Sequence, residues 1–397
     1  MQTKAGDPGA FAHFDLARVD SPAFVVDAAK LRANCRVLAG VRDAAAAEGA
    51  DIKVFAALKA FSMWSAAPII GEYLDGVSTS GLWEARLASE FYDGEIATYS
   101  AAFKPEELEE ICRLSDHVIF NSPFQHQRAR LILEAAAANG AAVSVGLRIN
   151  PQVATGEVDK YDPSAPGSRL GFPLDQLTEE HMEGVEGIHF HNLCEQDFEP
   201  LRATWDRVFD VIEPFFGQLK WINMGGGHHI TRADYQREEL VEFLKDAAED
   251  TGAQIILEPG EAVALDAGIL VGTLLDTMFN EVPVGITDIS ATCHMPDVLE
   301  APYRPAMLGE VADPDMIPLR LGGPSCLAGD VIGDYRLPVP AEPGARFAFL
   351  DQAHYSMVKT NTFNGVQLPS IWMWDSETDA LDCIKRFDYE DFRDRLS

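Results

Sequence analysis

Eight short apolar runs recur along the first two-thirds of the chain, and helix-length amphipathic stretches lie between them. The runs are Val54–Leu58, Gly76–Ser78, Ile96–Tyr99, His117–Phe120, Val143–Ile149, Gly187–Phe190, Trp221–Met224 and Gln254–Leu257. The intervening helices are predicted at Leu82–Phe91, Pro105–Leu114, Phe124–Asn139, Leu201–Phe216 and Arg237–Thr251. Strands that alternate with helices imply a parallel sheet, and eight such units imply an α/β fold closed into a (β/α)8 TIM-like barrel. An open, doubly wound sheet is the alternative. Polar or glycine residues trail nearly every run: Lys59, Ser78-Thr79-Ser80, Ser100, Asn121-Ser122, Arg148 with Asn150, His191-Asn192, Gly225-Gly226-Gly227 and Glu258-Pro259-Gly260. Catalytic residues of such barrels gather at the C-terminal ends of the strands, so this regularity favours the barrel.

The rhythm stops after Gly268. Short β-type runs (Val271–Leu275, Gly285–Ile289, Pro318–Leu321, Arg346–Leu350) then alternate with turns rich in proline and glycine. The expected division is a barrel over 35–268 and a second, mostly β C-terminal domain over 269–397, joined by residues 1–34. Within that first segment Ala23–Val26 reads as a strand, and Asp27 caps a helix over 27–38.

Of the 397 residues, 47% are apolar and 24% charged, an ordinary balance for a globular protein. No apolar run reaches membrane-spanning length, and Met1 to Phe11 lack the basic-then-apolar pattern of an export signal. Six scattered cysteines argue against a disulfide scaffold or a structural zinc site and fit a reducing, cytoplasmic setting. The net charge of −32 weighs against nucleic acid, whose phosphates need basic patches. It fits either steering of a cationic small molecule or a strongly solvated surface.

Candidate chemistry sits at the strand ends. Lys59 closes an apolar run, where an ammonium must be paired, neutralised or covalently used; a lysine desolvated there suits carbonyl chemistry. Its bland alternative is a lysine whose long stem reaches water. Gly225, Gly226 and Gly227 follow a strand and could cradle a phosphate or simply make a tight turn. Glu258 could hold a pyridinium nitrogen protonated or form a structural ion pair. His189 and His191 share one strand face; His191 could stack on a flat ring, or both could bind metal with His228 or His229. Cys326, in a glycine-rich turn with Asp330 four residues on, is either a proton donor or a small buried residue.

In this order these motifs resemble the fold-type III, alanine racemase-like decarboxylases that use pyridoxal 5'-phosphate (PLP), over about residues 21–369. The resemblance implies that Lys59 bonds the cofactor aldehyde and that His191 stacks on its ring. It gives the phosphate to Gly225, Gly226, Gly227 and Tyr355, the ring nitrogen to Glu258, and places Arg148 near the cofactor. It makes Cys326 the proton donor to Cα, supplied by the neighbouring copy of a homodimer with shared sites, and it implies no metal. Diaminopimelate-type members carry an arginine for a distal carboxylate about where this chain has Glu300, with Asp297 nearby. Carboxylates there favour a cationic tail, so Asp297, Glu300 and Asp330 are candidate substrate contacts for the branch that acts on carboxylated polyamines. Decarboxylases of other basic amino acids, a racemase, a metal-dependent barrel hydrolase and a non-catalytic PLP-binding protein are the alternatives. Relatives often have an arginine after Glu-Pro-Gly; Glu261 stands there in this chain.

Overall fold

The computed structural model describes residues 6–156 and 159–397. The chain divides into two compact units, Ala33–Val263 and the segments up to Arg32 and from Ala264 to Ser397. The breaks fall two and five residues before those expected from the sequence. Gly268 opens a 13-residue strand rather than ending the barrel.

Ala33–Val263 contains a closed barrel of eight parallel strands: β1 (Ile52–Ala57), β2 (Gly76–Thr79), β3 (Glu95–Ser100), β4 (His117–Phe120), β5 (Ser144–Asn150), β6 (Gly187–His189), β7 (Trp221–Asn223) and β8 (Gln254–Leu257). Closure runs through β8 against β1, with Ile255 opposite Ile52. Helices follow most strands, and Leu82–Phe91, Pro105–Leu114 and Arg237–Thr251 have the predicted bounds. The strands are short and almost wholly buried, as expected for a parallel sheet covered on both faces.

Side chains alternate along a strand, so one register of each strand fills the barrel interior. At the N-terminal end Glu95 pairs with Lys53 and takes the His117 Nε2 at 2.9 Å. The His117 hydrogen bond is the largest influence on the Glu95 carboxyl, which is held down to about 2. Above it Trp221 packs with Phe55, Ala97, Ile119 and Ile256, and its indole N–H donates to Ser144 Oγ at 2.9 Å. That indole fits because β5 and β6 offer no side chain beside it. A Cβ on Gly146 would lie 2.3 Å from the ring, and one on Gly187 would lie 2.1 Å away. Continuing each register upward by two residues leads from Gly146 to Arg148, Gly187 to His189, Trp221 to Asn223, Ala97 to Tyr99 and Ile256 to Glu258. The top layer of the interior is therefore polar.

The other unit is built on a mixed sheet. In order, its strands are Val331–Tyr335, Leu319–Gly322, Val282–Thr287, Gly268–Asn280, Ala23–Asp27, Ser370–Asp375 and Ala380–Lys385, with Arg346–Leu350 also paired to Gly268–Asn280. Leu270, Leu274, Leu321, Phe347 and Phe349 form part of one buried cluster, and Val25, Ile269, Ala348, Trp372 and Trp374 part of another. The Asp27 carboxylate accepts the N–H of Ala29, as a helix cap does, and the helix continues to Ala46, eight residues beyond its expected end. Val331–Tyr335, Ser370–Asp375 and Ala380–Lys385 were not anticipated. Ser370-Ile371-Trp372-Met373-Trp374 lacks polar alternation, although burial alternates along it in the fold.

Gly187→Ala is expected to lower stability by about 1–3 kcal/mol in a urea titration, the usual cost of overpacking a filled interior. Trp221→Phe in the same background should restore part of that loss; no restoration would show that the indole is not the obstruction.

Candidate active site

A cavity of about 350 Å³ lies at the C-terminal end of the barrel, lined among others by Lys59, Tyr99, Arg148, Arg169, His189, His191 and Glu258. That volume is within the usual range for small-molecule sites, roughly 300–1,000 Å³. Three of these side chains are cationic and one is a carboxylate, so the lining carries an excess of positive charge.

Lys59 lies just past β1, in a turn, and its side chain lines the cavity while remaining exposed at its mouth. Loss of bulk water, with the Arg148 charge as the next cause, brings its ammonium down to about 8 despite the opposing pull of Glu258. Its Nζ is 2.9 Å from His191 Nε2. On the other side of that ring, Nδ1 is 3.0 Å from the carbonyl of Gly226. The carbonyl contact, shorter than the 3.3 Å approach of the Gly226 N–H to Nδ1, favours the tautomer in which Nδ1–H donates to the carbonyl and Nε2 accepts from lysine. Burial, followed by the charges of Lys59 and Arg148, holds His191 well below the usual imidazole range and therefore neutral.

Glu258 follows β8. Asn223 Nδ2 donates to its Oε1 at 2.7 Å, and His189 Nε2 is 3.3 Å from its Oε2. Burial acts to raise this carboxyl, yet His189, Asn223 and Lys59 together hold it below its ordinary value. His189 itself is driven toward the neutral form, chiefly by burial. Tyr99 lies between two of these groups: its ring is 4.5 Å from the Arg148 guanidinium carbon and stacks on His189 at 5.6 Å. Arg148 is buried and donates to the carbonyl of His191 at 2.8 Å.

The glycine turn lies behind His191. Gly225 and Gly227 take left-handed φ values of +67° and +90°. Added Cβ atoms would fall 2.6 Å from the Phe190 carbonyl oxygen at Gly225, 2.0 Å from the Glu258 carbonyl at Gly226 and 2.0 Å from the Leu193 carbonyl at Gly227. The backbone of three strand-end loops thus packs without room for side chains. Glu261, where an arginine is common in the resembled family, lies 3.2 Å from His229 Nε2. His228 is paired with the Tyr235 hydroxyl at 2.5 Å. The histidines considered as a metal set are thus divided among separate partners.

The remaining candidates belong to the β-rich unit. Cys326 is exposed, and its N–H donates to Asn364 Oδ1 at 2.6 Å. Asp330, expected as a substrate contact, is buried and accepts hydrogen bonds from its own loop and from the 290–292 segment. One oxygen accepts from the hydroxyls of Ser290 and Ser325 at 2.8 and 2.6 Å, and the other from the N–H of Thr292 at 3.2 Å. Its placement is that of a loop anchor. Asp297 accepts from Lys359 at 2.7 Å, Glu300 is exposed, and Tyr355 is partly buried with a left-handed φ of +48°. Tyr99, Asn223 and Arg169 were not picked out from the sequence. The first two lay within runs already read as strands, where counting by twos from Ala97 and Trp221 would have turned them inward. Arg169 stands in a long loop without periodicity.

Barrel, strand-end lysine and partly buried carboxylate fit the class that the chain resembles, the barrel carboxy-lyases of the alanine racemase-like group. No family model matches the chain. A protein of Campylobacter jejuni subsp. jejuni named carboxynorspermidine/carboxyspermidine decarboxylase is 38% identical over 387 residues, covering 94% of this chain and 98% of its own. One from Synechocystis sp. named carboxyaminopropylagmatine decarboxylase is 37% identical, covering 96% of each. The crystal structure of carboxynorspermidine decarboxylase from Campylobacter jejuni, complexed with norspermidine, matches with a TM-score of 0.85 at 38% identity, over 95% of this chain and all of that one. The chain belongs to the carboxynorspermidine/carboxyspermidine decarboxylase family.

With its ammonium near 8, Lys59 should lose its proton about two and a half pH units before an ordinary lysine. Mass-spectrometric labelling of the cofactor-free protein with an amine-reactive reagent should show Lys59 modification rising through a midpoint near pH 8. A midpoint near 10.5 would contradict the assigned environment.

Proposed function

We propose that this protein uses PLP to decarboxylate carboxynorspermidine or carboxyspermidine, releasing CO2 and norspermidine or spermidine. The observation that carries the cofactor reading is the pairing, in one cavity, of a lysine of lowered pKa with a carboxylate held ionised. The residues present fit that group. A cavity with more positive than negative charge suits an anionic phosphate, and Glu258, already supplied with donors, suits a protonated ring nitrogen. When bound, the cofactor supplies an aldehyde that captures amines and a protonated ring that accepts the electron pair of the broken Cα–carboxylate bond.

The chain's own groups then have distinct tasks. At pH 7 a lysine titrating near 8 is roughly one-tenth neutral, against less than a thousandth for an ordinary one. Lys59 is thus available as a nucleophile before substrate arrives and as a base afterwards. Neutral His191 accepts from Lys59 and so directs its amine. Glu258 as carboxylate keeps its proton partner protonated, the condition for a strong electron sink. This choice also separates the reading from racemisation, for which a weaker sink is preferable. The glycine turn and Tyr355 are assigned the phosphate. Cys326 is assigned the return of a proton to Cα, acting from the neighbouring copy of a homodimer, as the family resemblance implies. Among the described residues no helix is long and apolar enough to cross a membrane, and the reading places the enzyme in the cytoplasm.

Glu300, standing about where diaminopimelate-type relatives carry an arginine for a distal carboxylate, supports a cationic substrate tail. A second reading has its own support: the relative named for carboxyaminopropylagmatine is 37% identical, against 38% for the other, so overall identity does not separate an amine tail from a guanidinium tail. The two amine-tailed substrates differ by one methylene, which a pocket distinguishes by only about 1–3 kcal/mol.

CO2 release from carboxynorspermidine, carboxyspermidine, carboxyaminopropylagmatine, ornithine, arginine and diaminopimelate should give its highest kcat/KM with one of the first two. Preference for the third would move the substrate while leaving the chemistry. A visible absorbance band of the loaded protein should vanish with borohydride and be absent from Lys59→Ala. Cys326→Ala should lower kcat far more than it raises KM; unchanged kinetics would remove the thiol from the reaction.

A further inference from the structure

Asn223 ends β7 and is fully buried. The two ends of its amide face different partners. Oδ1 accepts the N–H of Gly225 at 2.9 Å, and Nδ2 donates to Glu258 Oε1 at 2.7 Å. Turning the amide over would set oxygen against a carboxylate and NH2 against an N–H, so the environment selects one orientation. His189 approaches the other Glu258 oxygen at 3.3 Å, just beyond the usual N–H···O range of about 2.7–3.2 Å. Asn223 therefore makes the shorter of the two contacts. Charged or titratable groups facing Glu258 are His189 on β6, Arg148 on β5 and Lys59 after β1. None of these is tied both to the carboxylate and to the glycine turn as Asn223 is.

We propose that Asn223 is a positioning residue that keeps Glu258 ionised and aimed into the cavity, and that couples this carboxylate to the first glycine of the Gly225–Gly227 turn. The proposal deepens the function given above, because it rests on Glu258 as the partner of the ring nitrogen.

Asn223→Asp is close to isosteric. It keeps an oxygen for the Gly225 N–H but replaces the donor toward Glu258 with a second acceptor. Two carboxylates in hydrogen-bond contact share a proton, and the pair then takes it up at higher pH than Glu258 does alone. Isotope-edited infrared titration should therefore show the Glu258 carboxyl protonating at least one pH unit higher in Asn223→Asp than in the wild type. In the PLP-loaded enzyme the acid limb of the kcat profile should shift the same way. The maximal kcat should fall roughly ten- to a hundredfold, the worth of a hydrogen bond to a charged group, with KM changed only a few-fold. A Glu258 titration and pH profile that superimpose on the wild type would overturn the proposal. If Asn223→Asp does not fold, the swapped pair Asn223→Asp/Glu258→Gln tests the same contact, because its amide and carboxylate have only exchanged sides. Recovery of a cooperative melt would support the proposal, and a swapped pair that also fails to fold would overturn it. The infrared titration needs no cofactor, so a wild-type protein that refuses PLP would defeat the proposed function while leaving this test decisive.

Discussion

Three cations and a carboxylate share the upper end of a barrel, and the chemistry of this protein follows from that crowding. Lys59 and Arg148 repel each other and are short of water, which favours loss of the lysine proton; the guanidinium, far more basic, keeps its own. Glu258 is pulled the opposite way, because the charges and donors around it outweigh its burial. The same cavity thus yields a partly neutral amine and an ionised carboxylate, each within the other's field. The lysine would not reach its state on an open surface, and the carboxylate keeps its ordinary one despite burial.

Such crowding has to be held in place, and the support is backbone as much as side chain. Each residue of the Gly225–Gly227 turn meets carbonyl oxygens of neighbouring strand-end loops at distances that forbid a Cβ. Close approach brings Gly226 to His191 and the carbonyl of Gly225 to the N–H of Glu258, at 2.7 Å. These glycines are thus required by packing whatever else they bind. Lower in the barrel the same device recurs, with Gly146 and Gly187 leaving room for the Trp221 indole, on whose strand Asn223 is carried. A filled middle layer fixes the height and direction of the polar layer above it.

The architecture could be read from the chain in large part. All eight barrel runs lie within a few residues of observed strands, because buried parallel strands are continuous apolar runs that few other elements imitate. Lys59, Arg148, His191 and Glu258 stood out as polar residues where such runs end, and the fold brings all four to one cavity. The β-rich unit was less legible. Three of its strands are edge or half-exposed elements whose polarity does not alternate, and Asp330, a candidate substrate contact in the sequence, accepts hydrogen bonds from Ser290, Thr292 and Ser325 in the fold. A carboxylate beside a candidate nucleophile looks the same in sequence whether it faces a substrate or two serine hydroxyls.

The amino-acid sequence by itself determined the number of barrel strands, their parallel sense and the identity of the residues that end them, because periodicity and residue type are local properties of the chain. Only the tertiary structure decided which of those residues share an environment and in what protonation state. Asn223 reaches Glu258 across 35 positions, and Lys59 reaches His191 across 132. The energies that matter there, desolvation and charge–charge interaction, depend on distance in space and on exclusion of water, neither of which is written at any single position.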